Sequence, residues 1–147
     1  MPAPEPQDPN YEAKVRASFA RQGLMTNIGA RISKVLPGEV EIEVAWRQDL
    51  TQQQGFVHGA VIAAIIDTAC GYASYTLMPA DVEVVTVEFK INFIAPAIGE
   101  KMIARGRVTK AGKTLTVCAG KAFAVTDGKE KLVATMQATM MTVKQKS

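Results

Sequence analysis

The sequence predicts an α+β domain in which an antiparallel β-sheet wraps around one long central helix. Three observations carry that expectation. The segment Gly59 to Leu77, GAVIAAIIDTACGYASYTL, is apolar on nearly every side, as a buried helix is. The segments flanking it alternate apolar and polar residues with the period of two that marks half-buried strands. Turn residues separate those strands at hairpin spacing, so successive strands run antiparallel.

Residues 1–9, with four Pro, read as a flexible N-terminal arm, and residues 10–147 as a single domain. Asn10 can cap a short helix running through Arg21, with Val15 and Phe19 one turn apart and Gly23 ending the run. A strand from Ile28 to Leu36 meets a Pro37-Gly38 turn. In the next strand Val40, Ile42, Val44 and Trp46 alternate with Glu39, Glu41, Glu43 and Ala45. The long helix then covers roughly 28 Å at about 1.5 Å per residue, and Pro79 stops it. After it, Val85, Val87, Phe89, Ile91 and Phe93 share one strand face, with Thr86, Glu88, Lys90 and Asn92 on the other. Pro96 and Gly99 make a turn; Lys101–Lys110 and Thr114–Thr126 form a hairpin around Ala111-Gly112. Asp127-Gly128 opens a second hairpin leading to Leu132–Val143.

At 147 residues, 48% hydrophobic and 21% charged, the chain has the make-up of a globular domain with a real core. A formal charge of +3 favours an anionic ligand but is far from the basic stripe of a nucleic-acid binder, and no nucleic-acid motif is present. The start MPAPEPQDPN lacks a signal-peptide pattern, and no apolar run is long enough to span a bilayer. Cys70 and Cys118 lack metal-ligand spacing and read as two buried thiols in a reducing compartment. These features predict a cytoplasmic protein without nucleic-acid or membrane partners, and no metal site.

The chemistry concentrates between Gln52 and Asp67, QQQGFVHGAVIAAIID. His58, the only histidine, stands with Gly59 where a loop enters the long helix. A helix start carries unsatisfied N–H groups and partial positive charge, and Gly59 admits a ligand close to the backbone. Those are the requirements of an oxyanion site at an acyl carbon. A lone histidine there is more often a cap, so Asp67 matters more. It is the only charged residue between His58 and Asp81, in mid-helix among apolar neighbours. Burying an unpaired carboxylate is costly, and the helix offers no cation to a structural Asp. A general base or a nucleophile is the functional alternative. Gly59 and Asp67 are eight residues apart, roughly 12 Å along one helix axis. One carbonyl group cannot touch both, so a shared role requires two chains with their helices side by side.

The run GFVHGAVIAAIIDTACGYA, followed by VTVEFKINFIAPA and VTKAGKTL, resembles the PaaI-type acyl-CoA thioesterases of the hotdog-fold superfamily, over roughly Gly23 to Val143. The family usually shows His-Gly-Gly; here Ala60 replaces the second Gly, which leaves the Gly59 N–H in place. The resemblance implies a hotdog fold and hydrolysis of a fatty-acyl- or aryl-acyl-CoA thioester, with no cofactor beyond the CoA of the substrate. It implies Asp67 as general base or nucleophile, the Gly59 N–H polarising the carbonyl, and His58 orienting that end. Gln52 then helps bind the thioester or the attacking water, and Thr86 positions that water. The CoA phosphates need cations, for which Lys110, Lys113 and Lys90 are candidates, with Arg105 and Arg107 behind them. Phe56, Met25, Ile62, Tyr72, Met78 and Leu50 could line an acyl tunnel. Homodimers with shared sites, paired into tetramers, are the implied assembly. A non-catalytic acyl-CoA binder or sensor gains nothing from an Asp in an apolar helix, and the motifs of hotdog dehydratases or hydratases are not found around His58.

Overall fold

The computed structural model describes residues 4–146. In chain order it contains α1 (Tyr11–Ala20), α2 (Gly23–Ile28), β1 (Arg31–Leu36), β2 (Glu39–Ala45), a 3-10 turn (Gln48–Leu50), α3 (Gly59–Tyr75), β3 (Val82–Phe93), β4 (Lys101–Ala111), β5 (Leu115–Thr126) and β6 (Lys129–Lys144). The six strands form one antiparallel sheet in the order β1-β2-β4-β5-β6-β3. Between β2 and β4 the chain leaves the sheet, makes α3, and lays β3 along the far edge. β1 and β3 are therefore the edge strands, as in a hotdog fold.

The core is the layer between α3 and the sheet. Ile62, Ile65, Ile66, Ala69, Cys70 and Ala73 are fully buried against Met102, Ala104, Cys118, Ala122, Ala138 and Met140. Burial of each such Ile contributes about 1.5–3 kcal/mol. The helix can lie this close because two sheet residues have no side chain. A Cβ on Gly106 would stand 2.4 Å from the Ala69 carbonyl carbon, and one on Gly120 2.3 Å from Ile66 Cγ2. Cys70 and Cys118 are both buried and unbridged, and Cys118 Sγ lies 2.9 Å from the Ser74 hydroxyl. No helix among the described residues is long and apolar enough to cross a membrane.

Several local expectations are corrected. The expected strand start at Ile28 is the last turn of α2, closed by Gly29 at φ 73°, and Gly23 begins that helix instead of only ending the one before. Asn10 occupies the cap position of α1 without a side-chain cap bond; its own N–H donates to Asp8 Oδ1 at 2.9 Å. The long helix ends at Tyr75, two residues early, with Thr76 as cap. The Asp127-Gly128 turn forms as expected, both residues at positive φ. Within the expected arm, residues 1–3 lie outside the described residues. Asp8 is buried and pairs with Lys14 at 3.6 Å, and Gln7 donates to the Leu77 carbonyl, so this part lies against the domain.

Strand β3 departs most informatively from simple alternation. Its pairing with β6 slips between Thr86 and Glu88, a bulge that reverses the facing of everything before it. Thr86 pairs with Met140 and Phe89 with Ala138, both β6 residues on the helix side, whereas Glu88 pairs with Thr139 and Lys90 with Gln137. Thr86 thus leaves the polar face it was expected to share with Glu88 and Lys90, and turns toward α3.

Candidate active site

Helix α3 holds two separate reactive positions. At its start, His58 is the N-cap with extended backbone, φ −60° and ψ 139°, and its Nδ1 accepts from the Ala60 N–H at 2.8 Å. An accepting Nδ1 carries no proton, so the ring proton is on Nε2. Satisfying the Ala60 N–H in this way leaves the Gly59 N–H as the free donor of the first turn; no partner for it is found among the described residues. The Phe93 ring closes over this point, its Cζ 3.1 Å from where a Gly59 Cβ would lie. Gly59, Gln52, Phe56, Ile62, Phe93 and Pro96 border a small apolar cavity of about 160 Å³.

The Gln52 amide is turned into its own loop. Its Oε1 accepts from the Gln54 and Phe56 N–H groups and its Nε2 donates to Gln54 Oε1 at 2.9 Å. Trp46 pins the same loop through Nε1 to the Gly55 carbonyl at 3.3 Å. Gln52 therefore shapes the loop that leads to Gly59, beside the cavity that both residues border.

The second position lies two turns along. Asp67 is half-buried, and Thr86 Oγ1 donates to its Oδ1 at 2.8 Å. No ion pair to Asp67 is found among the described residues. Burial pushes its carboxyl above the ordinary range, and the Thr86 hydrogen bond partly opposes that rise. A carboxylate in this state is a stronger base than a solvated one. It opens into a cavity of about 420 Å³ bordered by Thr68, Gly71, Tyr72, Thr86 and Met140 on one side and by Ser18, Gln22 and Leu24 from the N-terminal helices on the other.

Among the residues expected from the sequence, the structure thus brings together Asp67 with Thr86, and Gly59 with His58, Gln52 and Phe56. The two groups open into different cavities of one chain. Of the expected tunnel, Phe56 and Ile62 border the Gly59 cavity and Tyr72 the Asp67 cavity, whereas Met25, Leu50 and Met78 belong to the core. Lys110 and Lys113 sit exposed at the β4–β5 hairpin, and Lys90 lies on the outer sheet face, donating to Asn92 Oδ1 at 2.6 Å. Arg105 is taken up by Glu41 and Glu130, and Arg107 by Glu39. Sequence reasoning passed over Gly71, although its spacing from Asp67 by four residues puts it on the same helix face, and Thr68, which follows Asp67 in the chain and borders the same cavity. Nothing local pointed to Ser18 or Gln22, which only the tertiary fold brings near.

Residues 54–131 match the thioesterase superfamily. A Halobacterium salinarum protein whose name assigns it provisionally to the esterases is 31% identical over 110 residues, covering 71% of this chain and 72% of that one. The crystal structure of a thioesterase family protein from Silicibacter pomeroyi superposes with a TM-score of 0.90 at 48% identity, covering 92% of this chain and 99% of that one. The PaaI protein of the E. coli phenylacetic acid degradation operon shares the fold, with a TM-score of 0.80 at 18% identity, covering 91% and 94%.

Proposed function

The chain belongs to the thioesterase superfamily and is a thioester hydrolase, and we propose that it is of the PaaI type and that its substrate is an acyl-coenzyme A, cleaved at a site that two copies build together. The observation that carries the reading is Asp67: a half-buried carboxylate with no ion-pair partner among the described residues, steadied by Thr86 beside a cavity that Arg21 also borders. The thioester oxygen accepts from the Gly59 N–H of one copy. Asp67 of the other copy either takes a proton from water as that water attacks the acyl carbon, or attacks it directly to form an anhydride that water then opens. In both routes the C–S bond breaks, the free acid forms, and CoA leaves as the thiol. Gly59 holds the developing oxyanion at a helix start, where the helix dipole favours negative charge.

Two features support the shared site. Helix α3 leaves one face uncovered, Ala60, Ala63, Ala64, Asp67, Thr68 and Gly71, all small or functional residues. Beside it the free edge of β3 exposes Val85, Val87, Phe89 and Phe93, the last at 56%. An unpaired apolar edge strand invites a second copy. Antiparallel helices related by a dyad near residue 63, midway between 59 and 67, set Gly59 of one copy against Asp67 of the other.

For the CoA phosphates, the sheet register favours Lys110 and Lys113. Ala111, Thr116, Met140 and Thr86 lie in one row across β4, β5, β6 and β3. Three steps of about 4.8 Å put the basic hairpin roughly 14 Å from the Asp67 partner, within reach of an extended pantetheine arm. The test is Asp67→Asn assayed on an acyl-CoA panel with a thiol reagent. The expected outcome is a loss of about 10²–10⁴ in kcat; turnover near that of the unsubstituted enzyme overturns the assignment.

A further inference from the structure

The Gly59 cavity runs into this chain's own core. Phe93, on the face given to the second copy, stands at its open side, but Val57, Ile62, Ala97 and Val133 close it, each between 1% and 6% exposed in the single chain. That closed end is complete without a second copy. Val133 is the unpaired residue of a bulge between β5 and β6, and it is buried together with Ala134. Gln52, the polar side chain on the cavity, has its amide taken up within its own loop. The enclosed space is therefore apolar, and an apolar cavity left empty costs stability in proportion to its volume. The Asp67 cavity is of another kind. Arg21 and Glu83 border it, and an apolar chain laid there would strip water from both charges.

We propose that the Gly59 cavity is the acyl pocket, with Ala97 and Val133 as the residues that limit the length of the acyl chain. This rests on the acyl-CoA reading of the shared site. The copy that supplies Asp67 holds the CoA through its β4–β5 hairpin, and the copy that supplies the Gly59 N–H receives the acyl chain. The thioester thus lies across the subunit boundary, its oxygen on Gly59 and its acyl carbons running past Ile62 toward Val133 and Ala97. The volume sets the size. An apolar cavity of about 150 Å³ stays dry and admits a benzene ring, and this one is about 160 Å³. It takes an unbranched aliphatic acyl group of about six carbons or fewer. A longer chain has to push into Val133 or Ala97, and each methylene that loses its place in an apolar pocket changes kcat/KM by about 10- to 200-fold.

The experiment measures kcat/KM for acetyl-, hexanoyl- and decanoyl-CoA on the unsubstituted protein, Ala97→Val, Val133→Ala and Leu24→Ala, with a melting curve for each. Leu24 borders the Asp67 cavity and serves as the control. The unsubstituted protein should turn over hexanoyl-CoA best. Ala97→Val fills the pocket, so its hexanoyl-to-acetyl ratio of kcat/KM should fall at least about 10-fold. Val133→Ala deepens the pocket, so its decanoyl-to-hexanoyl ratio should rise at least about 10-fold. Leu24→Ala should move neither ratio by more than about twofold. Val133→Ala only removes volume, and it decides the matter where Ala97→Val does not fold. Ratios unmoved within about twofold in the folded pocket variants overturn the proposal. So does a shift in Leu24→Ala, which puts the acyl chain in the Asp67 cavity, or a preference of the unsubstituted protein for decanoyl-CoA over hexanoyl-CoA. In each of these cases CoA is still released and the hydrolase reading stands. Release of no CoA from any of the three substrates overturns the acyl-CoA reading beneath it.

Discussion

Burial raises the Asp67 carboxyl while the Thr86 hydroxyl, donating at 2.8 Å, pulls it partway back, and two outcomes separate what this does to stability from what it does to catalysis. For stability, the folded carboxyl titrates above the unfolded one. At low pH both are protonated and nothing is lost. As pH rises, the unfolded chain ionises first, and the penalty is fully present above the folded value. Asp67→Asn should therefore unfold at higher urea than the unsubstituted protein at pH 7, with the difference closing as the pH drops below the ordinary carboxylate range. An unchanged midpoint at pH 7 speaks against a strained carboxylate. For catalysis, the reacting form is ionised, so kcat/KM should fall on the acid side at a pH above that of an ordinary carboxylate. Thr86→Val removes the bond that favours the ionised form, so the acid limb should move to higher pH and kcat/KM at neutral pH should drop about tenfold or more. A pH profile with an unmoved acid limb leaves Thr86 no role in holding the charge. Asp67 was visible in the sequence because a lone charge in an apolar helix contradicts its surroundings. The facing of Thr86 was not, because a bulge changes register without changing composition.

The elements follow from pattern wherever the pattern is long. The apolar run of α3, the alternation of β2 from Val40 to Val44 and the Asp127-Gly128 hairpin were legible, each being a local consequence of spacing, whereas Trp46, expected on the same β2 face, lies past the strand's end and is exposed. Helix α2 was not. Its six residues, GLMTNI, show too little of a helical period to register, and only the αL cap at Gly29 and the burial of Met25 and Ile28 hold it. The layer of α3 on the sheet, by contrast, depends on Gly106 and Gly120, whose importance appears only once the helix lies across them. Gly106→Ala forces a methyl group to within 2.4 Å of helix backbone, which cannot move aside as a flexible side chain can. Overpacking of this kind costs about 1–3 kcal/mol or more, and we expect Gly106→Ala at the upper end, read as a lower midpoint in equilibrium urea unfolding. A midpoint within experimental error of the unsubstituted protein means that the helix can lift from the sheet without loss.

At the scale of the whole molecule, the separation of Gly59 from Asp67 makes subunit mixing decisive. Gly59→Pro removes the one N–H in question at the first position of a helix, where proline is tolerated, and His58 already has the extended backbone that a residue before proline requires. Loss of one such donor should lower kcat about 10²–10³-fold. Gly59→Ala is the control, since it adds a Cβ near Phe93 at 3.1 Å but keeps the N–H; it should retain far more activity than Gly59→Pro. The Asp67→Asn and Gly59→Pro proteins are then unfolded together and refolded as a mixture. A mixed pair joins an intact Gly59 from one copy to an intact Asp67 from the other, making one good site and one doubly defective site. With random pairing about half the dimers are mixed and each has one working site of two, so the mixture should recover roughly a quarter of the unsubstituted activity. Either protein refolded alone should recover no more than about a hundredth of it. A mixture no more active than its components means that each site lies within a single chain, and the helix must then bend or the substrate move to bring Gly59 and Asp67 to one carbonyl group. Their roughly 12 Å separation along α3 makes that the costlier geometry.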